Sequence, residues 1–424
     1  MSPPRRVLGT RSNHWMGHDM KPAIAAFIAA FIAGLGSVGM PSAAAGLVGS
    51  PDSVDESGLT ARSTPGSCSG EVVSAPRMTS VAFDRLRSAA ERGCAAAQNN
   101  LGAMYTLGEG TPRDYARALR WFRKAAHQGF ADAQHNLGLM YDNGLGVAQN
   151  PFEAARWYRK AADQGHSSAQ NNLGLLYKHG RGVPLDYAEA ARWFRRAADQ
   201  GGAAAQNNLA LLYESGQGVP QDFDVALGWF REAADQDHAD AQYNLGEMYA
   251  NAQGVPQDYA EAVRWYRRAA DQGHAEAQSA LGLAYGAGQG VAQDFDEAAE
   301  WDRMGAEQGD ARAQNNLGFS FEHGQGVPQD YTAAAKWYRA AADQGVGQAQ
   351  INLGILYATG RGVAQDYAQA HVWFTRAVSS LEATQAELRA AAVTDREMVD
   401  IHLTLAQISN AERVARDWAA KHSR

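Results

Sequence analysis

Apolar positions in this chain fall into two kinds of helical stripe that alternate on a fixed beat. Ala97, Leu101 and Tyr105 lie at i, i+4 and i+8 with Met104 beside them, which predicts a helix with one apolar face. Gly108-Glu109-Gly110 ends it, because glycine accepts the left-handed backbone of a helix terminus. Tyr115, Ala118, Phe122 and Ala125 follow at spacings of 3, 4 and 3, predicting a second helix that Gln128-Gly129 closes. The stretch from Ala97 to Gly129 then returns seven more times. Gln98 comes back as Gln134, Gln170, Gln206, Gln242, Gln278, Gln314 and Gln350, always 36 residues on. Leu101 and Trp121 keep the same interval, ending at Leu353 and Trp373. A fixed period of this size marks a repeat array.

Neither helix of a unit is apolar enough to stand alone, so stability has to come from stacking on the next hairpin. Small residues such as Gly102 and Ala118 recur where the stacking must be close. Trp121 and its equivalents supply bulk, and core packing is the simplest role for them. Each second helix opens at an aspartate or its equivalent. Asp186 with Glu189, and Asp258 with Glu261, place an N-cap acceptor three residues before a carboxylate, a variant of the capping box.

The run A-x-A-Q-x-N-L-G-x-x-Y, then G-x-G-V, D-Y-x-x-A, W-Y-R-x-A-A and Q-G, resembles the Sel-one-like repeat, a cousin of the tetratricopeptide repeat. The likeness runs from Ala95 to Ala377. It implies an all-α, right-handed superhelical α/α solenoid of eight 36-residue helix-turn-helix repeats. It also implies an adaptor role in complex assembly and signalling, which many members fill in bacterial envelopes. The expected organisation is a signal peptide or signal anchor over 1–45, a Ser/Gly/Pro linker over 46–77 and a capping half-repeat over 78–94. The repeats then occupy 95–378 and C-terminal capping helices 379–424.

Departures from the period carry information. In the half-repeat, Arg85 stands where the tryptophan belongs and Leu86 replaces the aromatic, as suits a terminal cap. Ala210, Asp237 and Ala252 each replace a recurrent glycine. The sixth repeat is the loosest: Asp302 stands where the others carry Tyr or Phe, Gly305 interrupts the second helix and Gly286 weakens the first. It is expected to be the softest point and a hinge. Beyond Ala377, Thr394-Asp395-Arg396-Glu397 and Thr404-Leu405-Ala406-Gln407 read as two capping boxes, each opening a helix. Ile408, Ala411, Ala415 and Trp418 form a stripe that closes the stack.

The 424 residues are 45% hydrophobic with a net charge of −8, and no basic face invites nucleic acid. Lys21, the apolar run Ala23 to Gly34 and the box Ala43-x-Ala45 make a secretory signal, with Met20 as an alternative start. Export to the periplasm with cleavage is expected; the rival is an inner-membrane anchor, Ala23–Met40, which is short for a span. The two cysteines that survive processing, Cys68 and Cys94, are candidates for a disulfide in an oxidising compartment.

Chemistry is mostly missing from the sequence. There is no metal-binding spacing, no phosphate cradle and no nucleophile with an evident base, so no catalytic, metal or cofactor residues are expected. His166, His238 and His274 share one turn position and read as local caps. Arg123 and its equivalents, with acids such as Asp163 four places on, read as a wet outer face. Cysteine-rich relatives discussed as acting on β-lactams pair two cysteines in each repeat, and this chain lacks them.

Residues that hold a stack must repeat, whereas residues that touch a partner are free to differ. Two variable positions, seven apart on the first helix, therefore mark the expected concave binding face. The first supplies Asn99, His135, Asn171, Asn207, Tyr243, Asn315 and Ile351; the second supplies Lys178 and Glu322. The expected function is a monomeric, non-catalytic scaffold for a protein or peptide partner. The alternative is a glycan- or peptidoglycan-binding protein or hydrolase of the cell wall.

Overall fold

The computed structural model describes residues 80–422. The signal run, the cleavage box, the linker and Cys68 lie outside the described residues. All regular structure among the described residues is helical, and it forms two compact units that divide between His274 and Ala275.

The first unit begins with α1 (Ser80–Glu91), followed by the hairpins α2 (Ala95–Leu107) and α3 (Tyr115–His127), and α4 (Ala131–Asn143) and α5 (Pro151–Asp163). Three more follow: α6 (Ser167–His179) and α7 (Tyr187–Ala198), α8 (Ala203–Ser215) and α9 (Phe223–Asp235), α10 (Ala239–Ala250) and α11 (Tyr259–Asp271). The second unit holds α12 (Ala275–Ala287) and α13 (Phe295–Glu307), α14 (Ala311–His323) and α15 (Tyr331–Asp343), α16 (Gly347–Thr359) and α17 (Tyr367–Ser380). A short 3-10 turn, Ala383–Gln385, leads into α18 (Ala386–Asp400) and α19 (Leu405–His422).

Six of the eight hairpins close around one contact, in which the mid-helix glycine of the first helix lies against the aromatic ring of the second; the fourth has Ala210 for the glycine and the sixth Asp302 for the ring. A Cβ on Gly138 would stand 2.5 Å from Tyr158, and one on Gly174 would stand 2.6 Å from Phe194. The rings themselves are fully buried. Trp157 and Trp193 pack into apolar clusters that reach back to the preceding repeat, a core role that joins hairpins. Second helices are capped as expected, with Asp186 Oδ1 accepting from Glu189 N at 2.9 Å. The box is not reciprocal, however: Glu189 turns outward to Trp193 Nε1 at 3.0 Å and Arg192 Nη1 at 3.2 Å.

Hairpins are joined by contacts that only a repeat can make. Gln134 Nε2 donates to the Ala126 carbonyl of the preceding repeat at 3.2 Å, while its Oε1 accepts from Gln164 at 2.7 Å. The pattern recurs at Gln170, Gln242, Gln314 and Gln350, where Ser380 replaces the closing glutamine as donor. Arg123 Nη2 reaches forward to Tyr141 Oη at 2.7 Å, and Arg159, Arg195, Arg231 and Arg339 do the same. The arginine row is therefore a joint between repeats, bonded to the next tyrosine and not to acids four places on.

Two expectations need correction. Gly305 sits inside an unbroken helix. Gly305 is buried, with a Cβ there 3.0 Å from Ala313 Cβ, so the site calls for a small residue. Thr394 lies in the middle of α18, its Oγ1 donating to the Ala390 carbonyl at 3.1 Å. The alanine-rich stretch before it favours helix strongly enough to run through the candidate cap. The second box holds: Gln407 N donates to Thr404 Oγ1 at 3.3 Å and Thr404 N to Gln407 Oε1 at 2.9 Å. Ala411 and Ala415 of α19 then pack on Val372, and Arg376 lies between Trp373 and Trp418.

Two replaced glycines keep the glycine backbone. Asp237 and Ala252 adopt φ of 61° and 56°, where a side chain is strained. Asp237 is partly compensated by Arg268 Nη2 at 2.8 Å; Ala252 has no such group. Ala252→Gly is expected to raise the unit's stability by about 1 kcal/mol, read as a higher urea midpoint.

In the sixth repeat the aromatic slot holds Asp302, which is 3% exposed. Burial pushes its carboxyl well above the usual range, and Asn316 Nδ2 donates to it at 3.2 Å. One repeat later the same slot takes Tyr338, whose Oη donates to Glu322 at 2.7 Å. Asp302→Tyr is expected to stabilise the unit by about 1–3 kcal/mol, the usual cost of a buried polar group where a well-packed one fits. Hydrogen exchange over 275–310 should be faster than over 311–346 in the parent and slower in the variant.

Candidate partner-binding face

The expected contact residues do not share one environment. Asn99, His135, Asn207, Asn315 and Ile351 are 0–4% exposed, so no partner can touch them in the folded array. They form a ladder between successive first helices. Asn136 Nδ2 donates to Asn99 Oδ1 at 2.9 Å, Asn208 to Asn171 at 3.0 Å, Asn244 to Asn207 at 3.0 Å and Asn352 to Asn315 at 3.4 Å. Variation at this position follows the mating side chain. In the second repeat the acceptor is His135, whose Nε2 lies 3.2 Å from Asn172 Nδ2. Its ring stacks on His166 at 4.6 Å. Burial first, and the His166 charge second, push the His135 imidazole down to about 3. Asn171 and Tyr243 are half-buried; the Tyr243 ring stacks on His274 at 4.9 Å.

The turn histidines behave as caps. His166 Nδ1 accepts from Ala169 N at 3.2 Å, and His238 Nδ1 from Ala241 N at 3.3 Å.

The side of the first helices left open to solvent is a different set. In the first unit it is formed by the recurrent asparagines Asn172, Asn208 and Asn244 and by Leu139, Leu175 and Leu211 one turn on. All six are half-buried. The second unit presents Asn316 and Asn352 with Phe319 and Ile355 in the same places. By contrast, second-helix side chains such as Arg192 and Arg264 stand 78% and 74% exposed. The first-helix side thus presents half-buried leucines, each packed partly on the core, alternating with carboxamides. Because these residues recur, a search for variable positions passed over them; alternation of Leu and Asn on the open side is the signal that could have found them.

Charges enter this face through the second variable position. Asp142 pairs with Arg181 Nη2 at 2.8 Å, and burial outweighs that pairing to raise its carboxyl. Burial pushes the Lys178 ammonium below its usual range. Burial, then the neighbouring Glu247 charge, lift the Glu214 carboxyl to about 7. Glu322 is taken up within its own repeat by Tyr338. Among the described residues no group of three or more His, Cys, Asp or Glu could hold a metal ion. Nor is any described helix long and apolar enough to cross a membrane. Cys94 lies at the start of α2, and its candidate partner Cys68 is outside the described residues.

Known proteins give the geometry a lineage. The Sel1 repeat matches at residues 95–130, 131–166, 167–202, 203–238, 239–274, 275–310, 311–346 and 347–380. Among solved structures, c5321, a protective antigen of uropathogenic Escherichia coli strains displaying an SLR fold, is 32% identical. It covers 80% of this chain and 87% of its own, with a TM-score of 0.43. A Sel1 repeat protein from Oxalobacter formigenes is 33% identical, over 57% of this chain and 96% of its own, with a TM-score of 0.53. A comparison with curated proteins finds no match. Eight in-phase matches, each folded as a helical hairpin, place the chain in the Sel1 repeat family, and it belongs there.

Proposed function

We propose that this protein is an exported, non-catalytic adaptor of a bacterial envelope, holding an extended segment of a partner along its first-helix face. Repeats of this family commonly mediate protein–protein interaction. One observation carries the reading here. The open side of the first helices is a row of half-buried Leu and Asn, and not a fully solvated face. Leucines bury a partner's apolar side chains. A carboxamide has two donors and an acceptor, enough to keep its ladder bond and still meet a peptide backbone. Retention of the partner by a membrane sensor or envelope-polymer complex is the sharper form of the proposal. It rests on the export signal read at 1–45. Leu211→Asp tests the face: capture of envelope proteins by the purified chain, normalised to its folded fraction because Leu211 also packs on the cluster around Phe230, should fall about tenfold or more. Undiminished capture would remove the face from consideration.

A second reading, a glycan-binding protein or hydrolase of the cell wall, is favoured by the Glu214–Glu247 pair alone. One carboxyl held near 7 beside another carboxylate is a combination that glycoside cleavage uses. Release of reducing sugar from peptidoglycan, lost in Glu214→Gln, would establish it in place of the adaptor.

A further inference from the structure

Not every half-buried charge of the first unit finds its counterpart within the chain. Asp142, Lys178 and Glu214 hold one register on three consecutive first helices, α4, α6 and α8. Asp142 is answered by Arg181 at 2.8 Å. Lys178 and Glu214 are not: neither side chain has a hydrogen bond or ion pair among the described residues, and they are out of ion-pair reach of each other. The charges acting beside them have their own sign. Lys178 and Arg181 both bear on His179, pushing its imidazole down after burial has done so. Glu214 faces Glu247, whose Oε1 already accepts from Tyr266 Oη at 2.5 Å.

Both side chains are half-buried with no partner for their charge within the chain, and perturbed charges of this kind gather where a ligand supplies the opposite one. The face around them is built for a chain. Leu175 and Leu211 flank the two charges, and Asn172 and Asn208 run alongside. Resting on the adaptor reading, we infer that the segment bound there is a zwitterionic extended peptide, with an acidic side chain meeting Lys178 and a Lys or Arg meeting Glu214 and Glu247. Its two charges are about three residues apart. Neighbouring first helices lie roughly 10 Å apart, close enough for Asn208 to bond Asn171 at 3.0 Å. An extended strand advances about 3.3 Å per residue. A purely acidic segment would leave Glu214 unanswered and a purely basic one would leave Lys178, so charge complementarity selects a peptide carrying both.

A displayed library of random twelve-residue peptides, selected on the purified chain at pH 8 and low salt, tests this. Glu214 is ionised at that pH. The parent should enrich peptides with Asp or Glu two to four residues from Lys or Arg, in one chain direction. The double variant Lys178→Glu/Glu214→Lys should enrich the same pair in the opposite order. Should the swap fail to fold, Lys178→Met and Glu214→Gln, which keep side-chain size, should each weaken the parent's peptides about tenfold. Peptides enriched without a charge pair, unchanged by the swap yet lost on Leu211→Asp, overturn the charge assignment and leave the adaptor face standing. Enrichment that survives Leu211→Asp, or none at all, overturns both.

Discussion

Alanine at Gly182 is expected to lower the stability of the first unit by about 3 kcal/mol or more, against about 1–2 kcal/mol for alanine at Gly165. Both glycines have left-handed backbone, with φ of +68° and +89°, so the conformational penalty for adding a Cβ is common to them. The room around them is not. A Cβ on Gly165 meets nothing within 4 Å. On Gly182 it would lie 2.3 Å from the Pro151 carbonyl carbon and oxygen and 2.5 Å from Phe152 N. That obstacle is backbone in the first turn of α5, which cannot rotate aside as a side chain can. The loop after α6 must instead lift off the preceding repeat, and the joint between the second and third hairpins loosens. Urea titrations of the two variants, with hydrogen exchange across 131–202, separate the effects. Equal midpoints would show that the loop does not rest on α5.

His135→Asn should make the first unit markedly more resistant to acid. With its pKa pushed down to about 3 from the usual 6.5, His135 stays neutral in the fold. The unfolded chain takes up a proton there below about pH 6.5, so the unfolded state binds more protons and stability rises with pH across that window. The contribution is complete above about pH 6.5 and declines as the pH falls toward the folded value. The decline is about 1.4 kcal/mol per pH unit, or roughly 2–3 kcal/mol by pH 4.5. The physical cause is a ring 1% exposed, stacked on a second histidine, with Nδ1 lacking any hydrogen-bond partner. Asparagine is what the first, third, fourth and seventh repeats carry at this place, so the replacement keeps an acceptor for Asn172. Denaturation midpoints at pH 7.5 and 4.5 should draw together in the variant relative to the parent. An unchanged gap would mean that His135 is not the group that titrates.

The period made the hairpins legible because packing must be solved the same way at every joint. Gly102 and the N-cap aspartates could be assigned roles from the sequence, since each acts within one hairpin. What stayed hidden acts between hairpins. Gln98 set the beat, yet nothing in one unit shows that its carboxamide ties the preceding unit to the second helix of its own hairpin. Arg123 pointed toward an acid four residues on only while its own helix was in view; Tyr141 is 18 residues away. The rule that variable positions touch partners failed at Asn99 and His135, because a buried acceptor can vary while its donor stays fixed. At Lys178 the same rule leaves a half-buried side chain with no partner in the chain, the feature the peptide inference rests on. Thr394 shows the limit of short motifs, where the local signature was outweighed by the helix propensity of the residues before it.

The face itself can be tried by placing a photocrosslinking amino acid at Leu211 on the first-helix side or at Arg192 on the second-helix side, and irradiating in whole cells. A discrete crosslinked band at Leu211, with none at Arg192, is what an adaptor working through its row of Leu and Asn should give. Bands of equal strength at both places, or at Arg192 alone, would mean that partners dock elsewhere.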